Sequence, residues 1–423
     1  MKQKVLLINA DELVTCRGHA PKSGQAMNDL GIIKNGGVAI ENGLITHVGE
    51  TSDLLGLIDK ARYEVIDCVG RCVMPGFIDA HTHLVFGGYR AEEFSWRLAG
   101  ASYMEIMEKG GGIVNTVHAT QKASREELKQ LAFEHLNSML AQGVTTVEAK
   151  SGYGLDLITE IKQLEVASEL NRDHPIEVVS TFMGAHAIPP GYKGRADAFI
   201  DFMIGDVLPV VAERKLAEFC DVFCEKGVFS IEQSRRLLQA ARKYGLKAKV
   251  HADEIVPLGG AELAAEVGAV SADHLLHASD GGIDLLAAKE VVAVLLPATA
   301  FCLKEPYARG RYMIDRGLAV ALATDFNPGS CFTASIPLIF ALAVLYMGLS
   351  PAEAITALTC NAAAAVCRTD SIGSIEPGKQ GDIIILKYPS HLFIPYHVGM
   401  NTIERVIKKG QLVWEKNSSC QGA

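Results

Sequence analysis

The stretch that decides the fold of this chain reads Gly76-Phe77-Ile78-Asp79-Ala80-His81-Thr82-His83. An apolar run typical of a buried β-strand ends here in two histidines that are separated by one residue. Side chains two positions apart in a strand point to the same side. His81 and His83 therefore present two imidazoles to one point, as binding of a divalent metal ion requires. Such a pair also occurs by chance on surfaces and in cores, so the rest of the chain has to support this interpretation.

The middle of the chain alternates between short apolar segments and helical periodicity. Apolar residues recur at helical spacing between these segments, for example over residues 124–142, 230–244 and 351–366. Eight strands that alternate with helices over roughly 300 residues predict an α/β fold with a (β/α)8 TIM-like barrel, and an open doubly wound sheet is the alternative. The predicted barrel strands are residues 73–79, 145–150, 177–183, 221–224, 247–250, 271–275, 291–296 and 319–323.

Both ends of the chain consist of short β segments, unlike the middle. Near the N-terminus, Asn42-Gly43 between two apolar runs is a strong hairpin signal. Residues 383–386 and 404–408 near the C-terminus are short strand-like runs of the same kind. We therefore expect a small β-sandwich domain built from both termini, residues 1–66 plus 370–423, beside a catalytic barrel domain, residues 67–369.

The composition restricts the possible partners and location of the protein. The chain has 423 residues, 49% of them hydrophobic, and a formal net charge of −9. The negative charge argues against nucleic acid or an acidic membrane surface as a partner. The longest apolar stretch, residues 336–349, is too short to span a bilayer, and no secretory signal is evident. Ten cysteines are scattered without the spacing of a disulfide framework, so we expect reduced thiols and a cytoplasmic location.

Polar residues follow five of the eight predicted strands at the point where each strand ends. Because the carboxyl ends of all barrel strands meet on one face, we expect these side chains to lie close together. Three histidines and one aspartate among them predict a mononuclear metal site with further acid–base groups around it. The residues concerned are His81 and His83 after the first strand, His186 after the third, His251 and Glu254 after the fifth, Asp273 and His274 at the sixth, and Asp325 after the eighth.

Longer motifs surround these residues. They are residues 81–90 (HTHLVFGGYR), 110–113 (GGGI), 150–154 (KSGYG), 184–189 (GAHAIP), 251–254 (HADE) and 323–329 (ATDFNPG). These motifs resemble the amidohydrolase superfamily and, within it, the imidazolonepropionase family of histidine degradation. The likeness covers essentially the whole chain, and the glycine-containing segments are much more specific than the His-x-His pair. Ser330 stands where the family often has threonine, and the hydroxyl group is kept.

The resemblance implies hydrolysis of the cyclic amide C–N bond of 4-imidazolone-5-propanoate to N-formimino-L-glutamate. It also implies one divalent or trivalent metal ion per subunit, zinc or iron, and a homodimer. The chemistry of the residues agrees, because a bound ion can lower the pKa of water to about 7. His81, His83 and His251 are neutral nitrogen donors, and Asp325 adds a carboxylate that can also accept the proton of the water.

Two further residues are candidates for proton transfer beside Asp325. Glu254 lies three residues past His251, where it can hold a ring nitrogen of the substrate or the attacking water. His274 can act as a proton shuttle or polarise the ring carbonyl. Glu254, His274 and Asp325 are therefore the predicted catalytic residues.

The substrate implied by the resemblance is a small molecule with a carboxylate, so we expect a cationic group to bind it. Arg90, in the loop after the first strand, can bind a carboxylate through two hydrogen bonds. The ordinary alternative is a solvated loop arginine. The resemblance assigns further substrate contacts to Tyr153, His186, Glu254, Asn327, Gly329 and Ser330.

Other sites and activities on the same fold are alternatives to this interpretation. A two-metal site would need a carbamylated lysine after the fourth strand, where Lys226 is the candidate and Lys150 lies on the wrong strand. The His-x-x-Glu spacing of His251 and Glu254 favours one metal instead. A cytosine or guanine deaminase is the alternative activity, against which Arg90 argues because a neutral base needs no carboxylate clamp. A non-catalytic scaffold is disfavoured, since every ligand position is filled.

Overall fold

Two β-sheets organise the protein, whose computed structural model describes residues 4–100, 105 and 111–416. One is a parallel barrel, and the other is a mixed sheet contributed by both ends of the chain. Gly110, the first residue of the Gly-Gly-Gly-Ile motif, lies outside the described residues. The strands are β1 (Lys4–Val14), β2 (Ile32–Glu41), β3 (Leu44–Glu50), β4 (Glu64–Asp67), β5 (Cys72–Pro75), β6 (Phe77–Thr82), β7 (Val144–Lys150), β8 (Glu177–Ala185), β9 (Phe219–Cys224), β10 (Lys247–Ala252), β11 (Ser271–His274), β12 (Val292–Leu295), β13 (Val320–Leu322), β14 (Ile383–Leu386), β15 (Ile403–Lys408) and β16 (Gln411–Glu415).

The barrel consists of β6 to β13 in sequence order, and every neighbouring pair is parallel. The chain just after β13 closes the ring against β6. Asp325 N donates to His81 O at 3.0 Å, and His83 N donates to Phe326 O at 2.9 Å. This closure confirms the predicted barrel and excludes the open sheet. It also joins the two rim segments that carry the predicted metal ligands.

Helices connect the barrel strands, and two of the longest begin where the sequence predicts. Ser124 and Ser230 each accept a hydrogen bond from the third helical residue, whose own side chain accepts from the backbone N–H of the serine. The helices are α1 (Thr51–Leu57), α2 (Ala91–Leu98), α3 (Ile113–Lys122), α4 (Arg125–Ala141), α5 (Leu157–Asp173), α6 (Ala196–Phe202), α7 (Leu208–Glu213), α8 (Ile231–Lys243), α9 (Gly260–Val267), α10 (Asp280–Ala288), α11 (Pro297–Leu303), α12 (Gly310–Asp315), α13 (Ile336–Leu345), α14 (Pro351–Leu358), α15 (Cys360–Ala365) and α16 (Phe393–Tyr396).

The helix predicted over residues 351–366 is wrong in one respect, because two helices occupy this stretch. Thr359 separates α14 from α15, with a backbone φ of −127° and ψ of −91°. Its hydroxyl donates to Ile355 O at 2.7 Å. The apolar periodicity continues across the break, so the pattern of burial alone does not reveal it.

The mixed sheet combines five N-terminal strands with three C-terminal strands. Its order is β16-β15-β14-β5-β1-β2-β3, and β4 pairs with β1. The antiparallel pair of β5 and β14 joins the two ends of the chain. Leu7, Ile40 and Ile385 are among the side chains of its apolar core. The prediction that both termini build one small β unit is confirmed, and the strands form one continuous mixed sheet.

The predicted strand over residues 73–79 is wrong, because it consists of two strands in different sheets. β5 ends at Pro75 in the mixed sheet, and β6 begins at Phe77 in the barrel. Between them, Gly76 N donates to Asp382 O at 2.9 Å, and a Cβ at Gly76 would lie 2.4 Å from the side chain of Thr145. The run stays apolar across the switch because both strands are buried. The strand that carries His81 is therefore anchored directly to the mixed sheet.

Most of the apolar stretch at residues 336–349 is buried, although Leu345 and Tyr346 are exposed. Ile336 and Phe340 of α13 pack in the main apolar core. Within the described residues, no helix combines the length and the apolar character that crossing a bilayer needs. Nine cysteines lie in the described part of the chain, and all nine are free thiols.

Candidate metal centre and active site

Four side chains from three parts of the barrel meet at the carboxyl ends of its strands. His81 and His83 lie at the end of β6, His251 lies near the end of β10, and Asp325 follows β13. All four are buried. The ring centroid of His81 lies 5.5 Å from that of His83 and 4.6 Å from that of His251. The fold thus brings together the residues that the sequence analysis predicts as metal ligands.

The facing atoms of these side chains have the spacing of ligands around one ion. Nε2 of His81 and Nε2 of His83 lie 3.5 and 3.7 Å from Oδ1 of Asp325. One ring nitrogen from each of His81, His83 and His251 lies within 4.8 Å of the others. Ligand atoms about 2.1 Å from a shared tetrahedral ion are about 3.4 Å apart.

Two of the proposed ligand nitrogens form no hydrogen bond with the described residues. Among the residues that the structure describes, Nε2 of His81 and Nε2 of His251 are buried and have no hydrogen-bond partner. A buried polar atom without a partner costs free energy unless a ligand satisfies it. The donor set therefore fits a metal ion.

The protonation states of the donors suit this role. Burial lowers the pKa of His81 and that of His83 well below the ordinary value, so both imidazoles are neutral at pH 7. Burial raises the pKa of Asp325 to about 6, although a hydrogen bond from Thr299 opposes this. Its carboxylate is still mostly ionised at pH 7. Neutral imidazoles with one carboxylate form a ligand set that zinc and iron both accept.

Two buried carboxylates behind the ligands hold the imidazole rings. Nδ1 of His81 is hydrogen-bonded to Oδ2 of Asp273 at 2.6 Å, whereas Nδ1 of His251 lies 3.0 Å from Oδ2 of Asp221 without the geometry of a hydrogen bond. The carboxylate at Nδ1 of His81 keeps the ring proton there and leaves the Nε2 lone pair for a metal, and the negative charge of Asp221 beside Nδ1 of His251 favours the same tautomer. The sequence motifs do not predict this role. The available signal was a charged residue inside an apolar strand, as Asp221 is in β9.

Glu254 and His274 face each other beside the ligands, with Oε2 of the carboxyl group 3.6 Å from Nε2 of the ring. Burial, with the nearby charges of Asp325 and Glu225, raises the pKa of Glu254 to about 8. Burial and the neighbouring His251 lower the pKa of His274 well below its ordinary value. At pH 7 a protonated carboxyl group thus stands next to a neutral imidazole, which is an arrangement suited to proton transfer.

Asp253 holds the loop that carries Glu254. Its Oδ1 accepts hydrogen bonds from the backbone N–H groups of residues 258–260 at 2.8 to 3.0 Å, and its Oδ2 accepts from Ala261 N at 2.9 Å. These amides belong to the two residues before α9 and to its first turn, so Asp253 caps that helix. The residue itself has a φ of +50°, a strained conformation that the four bonds maintain.

Tyr153 and His186 form an aromatic wall next to His83. The ring of His186 stacks on that of His83 at 4.7 Å with an interplanar angle of 14°, and the ring of Tyr153 lies 5.6 Å from His83. Gly152, with a φ of +112°, lets the backbone approach, because a Cβ there would lie 2.9 Å from His186. Burial lowers the pKa of His186 to about 3 and raises that of Tyr153. Both side chains are therefore uncharged at pH 7.

Arg90 lies at the rim of the site and is held on two sides. Its Nε donates to Oε2 of Glu93 at 2.8 Å, and Glu93 in turn accepts from Gly112 N at 2.9 Å and from Nδ2 of Asn115 at 3.0 Å. The far end of the guanidinium reaches Gly329, where a Cβ would lie 2.1 Å from Nη1. With 17% of its side chain exposed, Arg90 is not a freely solvated loop arginine.

The loop after β13 is shaped by the side chain of Asn327. Its Nδ2 donates to Asp325 O at 2.7 Å and to Oγ of Ser330 at 2.9 Å, and its Oδ1 accepts from Gly329 N and Ser330 N, each at 2.8 Å. These bonds hold the loop against Arg90. Direct contact of Asn327, Gly329 and Ser330 with a substrate stays a prediction.

Comparison with known proteins gives the chain a set of relatives. Models of the amidohydrolase family match residues 222–413 and residues 64–116. The chain is 58% identical over 416 residues to the imidazolonepropionase of Clostridium tetani, covering 98% of this chain and 99% of that protein. It is 59% identical over 409 residues to the imidazolonepropionase of Parabacteroides distasonis, covering 97% and 98%. The solved structure of E. coli guanine deaminase is similar with a TM-score of 0.74 at 16% identity, over 99% of this chain and 100% of that one, and this likeness concerns the fold alone.

Proposed function

The chain belongs to the imidazolonepropionase family of amidohydrolases, and we propose how its site performs the reaction of that family. It is a hydrolase that opens the cyclic amide C–N bond of 4-imidazolone-5-propanoate and yields N-formimino-L-glutamate. The observation that carries the proposed site is the buried convergence of three imidazoles and one carboxylate at the carboxyl ends of the barrel strands.

His81, His83, His251 and Asp325 hold one metal ion per subunit, zinc or iron, in this proposal. When bound there, the ion supplies Lewis acidity, which lowers the pKa of water and polarises a carbonyl group. Asp273 and Asp221 orient two of the ligand rings through their Nδ1 atoms.

Proton transfer is assigned to three side chains of the site. The Asp325 carboxylate accepts a proton from the attacking water. Glu254, which is protonated at pH 7 in the substrate-free protein because its pKa is raised to about 8, donates a proton toward the departing ring nitrogen. His274, 3.6 Å away, positions the substrate carbonyl and can relay the proton.

Substrate binding is assigned to the residues that surround this centre. The Arg90 guanidinium binds the propionate carboxylate, since its Nε is held by Glu93 and its Nη atoms remain near Gly329. Tyr153 and His186 contact the imidazolone ring, Glu254 contacts a ring nitrogen, and the loop with Asn327, Gly329 and Ser330 contacts the tail.

We favour a single ion because neither of the two candidate lysines is suited to carbamylation, which a two-metal site would need. Lys226 is exposed in the turn after β9, away from the buried ligands. Carbamylation requires a neutral amine. Burial by itself lowers the pKa of Lys150. The negative charges of Asp221, Glu148 and Asp273 have the larger combined effect and raise this pKa well above its ordinary value. Lys150 therefore stays charged.

Assembly, location and domain division also remain proposals. Family likeness supports a homodimer in the cytoplasm. We assign residues 1–66 plus 370–423 to the terminal β domain and residues 67–369 to the catalytic domain, with β5 crossing from the latter into the mixed sheet.

The proposed centre is tested by metal analysis together with turnover. We expect about one equivalent of zinc or iron, reversible loss of activity with a chelator, and loss of both metal and turnover in His251→Ala, because one of four donors is removed. His174→Asn is the control, since His174 is also buried but lies just before β8, at the opposite end of the barrel. It should keep metal and activity.

Cytosine and guanine serve as comparison substrates in the same assay. Turnover of 4-imidazolone-5-propanoate by a demonstrably metal-free preparation would contradict the proposed centre. Full metal content in His251→Ala would remove His251 from the ligand set.

A further inference from the structure

Five charged side chains lie buried in the barrel beneath the proposed ligands. All five side chains have no exposed surface. Charges without solvent are costly unless they are paired and hydrogen-bonded. The residues are Glu148 and Lys150 of β7, Asp221 of β9, Lys249 of β10 and Asp273 of β11.

Lys150 occupies the centre of a continuous chain of contacts between two ligands. Its Nζ lies 2.7 Å from Oδ2 of Asp221 and 3.4 Å from Oδ2 of Asp273. The same two oxygen atoms lie against the ligand rings, at 3.0 Å from Nδ1 of His251 and 2.6 Å from Nδ1 of His81. One ammonium group thus contacts both of the oxygens that orient the imidazoles.

A second observation marks this position as one for a cation. Asp221, His251 and Asp273 each offer a ligand atom within 4.8 Å of the others, a grouping that can hold a metal ion. The ammonium of Lys150 lies against two of the three. The positive charge that balances these carboxylates therefore comes from the side chain of Lys150.

We infer that Lys150 is a positioning residue for the metal centre, whose ammonium holds Asp221 and Asp273 so that His251 and His81 present their Nε2 atoms to one ion. This inference rests on the proposed function. Without the ammonium, two buried carboxylates repel each other, and moving apart withdraws both of them from the ligand rings. Metal affinity, and not only stability, then depends on a residue that never touches the ion.

Lys249 provides a matched control. It is also a buried lysine on a barrel strand, and its Nζ lies 2.7 Å from Oε2 of Glu148. In the described part of the chain, its ion pairs include neither Asp221 nor Asp273. Replacing either lysine by methionine removes one buried charge and keeps the length of the side chain.

The experiment measures zinc affinity by competition with a chelator for the full-length wild type, Lys150→Met and Lys249→Met. Loss of a group that orients metal ligands weakens binding by about 10- to 100-fold, and we expect this for Lys150→Met. Lys249→Met should lose stability but keep an affinity near the wild-type value. The visible absorption spectrum of the cobalt-substituted protein should change in Lys150→Met alone, because it reports ligand geometry.

The outcomes separate the inference from the proposed function. A wild type that binds no zinc overturns the metal centre itself. A wild type that binds zinc, together with equal affinities or equal losses in the two lysine variants, overturns the role of Lys150. If Lys150→Met does not fold, Lys150→Gln, which removes the charge but keeps a polar group, takes its place, and unchanged zinc affinity in that variant is again fatal to the inference.

Discussion

Gly329 leaves the space that the Arg90 guanidinium occupies. A Cβ at this position would lie 2.1 Å from Nη1 of Arg90. That atom is the end of a flexible side chain, so Gly329→Ala should displace the guanidinium and leave the fold intact. We expect KM for 4-imidazolone-5-propanoate to rise, and Arg90→Lys should raise it as well, because lysine lacks the planar guanidinium that binds a carboxylate through two hydrogen bonds. Loss of a charge-assisted contact of about 1.5–3 kcal/mol lowers kcat/KM by one to two decades.

Steady-state kinetics check this prediction, with Gly281→Ala as the control. In helix α10, the nearest atom to a Cβ on Gly281 is Oγ of Ser279 at 3.7 Å, so this alanine makes an ordinary van der Waals contact and no clash. An imidazolone without the carboxylate should be turned over equally by wild type and Gly329→Ala. Equal losses on both substrates would show that Arg90 has a structural role and does not bind the propionate.

Among the helices, α9 is capped by Asp253, and this cap sets the position of the loop that carries Glu254. Asp253→Ala removes the acceptor of four backbone N–H groups and should lower the free energy of unfolding by about 2–4 kcal/mol. Because Glu254 follows directly, kcat should fall as well. Urea unfolding and kcat at saturating substrate measure the two effects.

Ser279→Ala is the matched control for this cap. Ser279 accepts one capping hydrogen bond in α10, from Gly282 N at 2.8 Å, donates to Oε1 of Glu262 on α9, and lies outside the proposed site. Its loss should cost about 1 kcal/mol with no change in kcat. If Asp253→Ala loses stability but keeps its kcat, the cap supports the helix and does not position Glu254.

At the scale of the whole molecule, Glu12 joins the two ends of the chain. Its carboxylate accepts hydrogen bonds from Nζ of Lys34 at 2.9 Å, and from the backbone N–H of His391 at 3.0 Å and its Nδ1 at 2.8 Å. Burial raises the pKa of Glu12, but these bonds outweigh it and lower the pKa to about 2. The ionised form therefore stabilises the folded state fully above pH 4.5, and this contribution is lost as pH falls toward 2.

Glu12→Gln should thus lower the free energy of unfolding of the metal-free protein at pH 7 by about 1–2 kcal/mol, after allowance for solvent screening. The difference from wild type should shrink between pH 4.5 and pH 3. Urea titrations across this range measure it, and the exposed Glu64→Gln serves as the control. A difference that does not change with pH would show that the ionised carboxylate is not what joins the termini.

The barrel and the residues of its rim can be predicted from local sequence patterns. Strand and helix periodicity are local properties, and polar residues at the ends of apolar strands are visible without a structure. His81, His251 and Asp325 could therefore be predicted as neighbours from the rule that barrel strands end on one face. The hairpin signal at Asn42-Gly43 is local in the same way.

The interaction partners of these residues follow only from the packing of the folded chain. His81 and Asp273 are 192 residues apart in the chain, and nothing in the local pattern of either one names the other. Lys150 likewise acquires its role from strands β9 and β11. The division of residues 73–79 between two sheets escaped prediction because both strands are buried and apolar. Local patterns predict which side of a helix or strand is buried. The contacts on that side depend on how the elements pack in three dimensions, which local patterns do not specify.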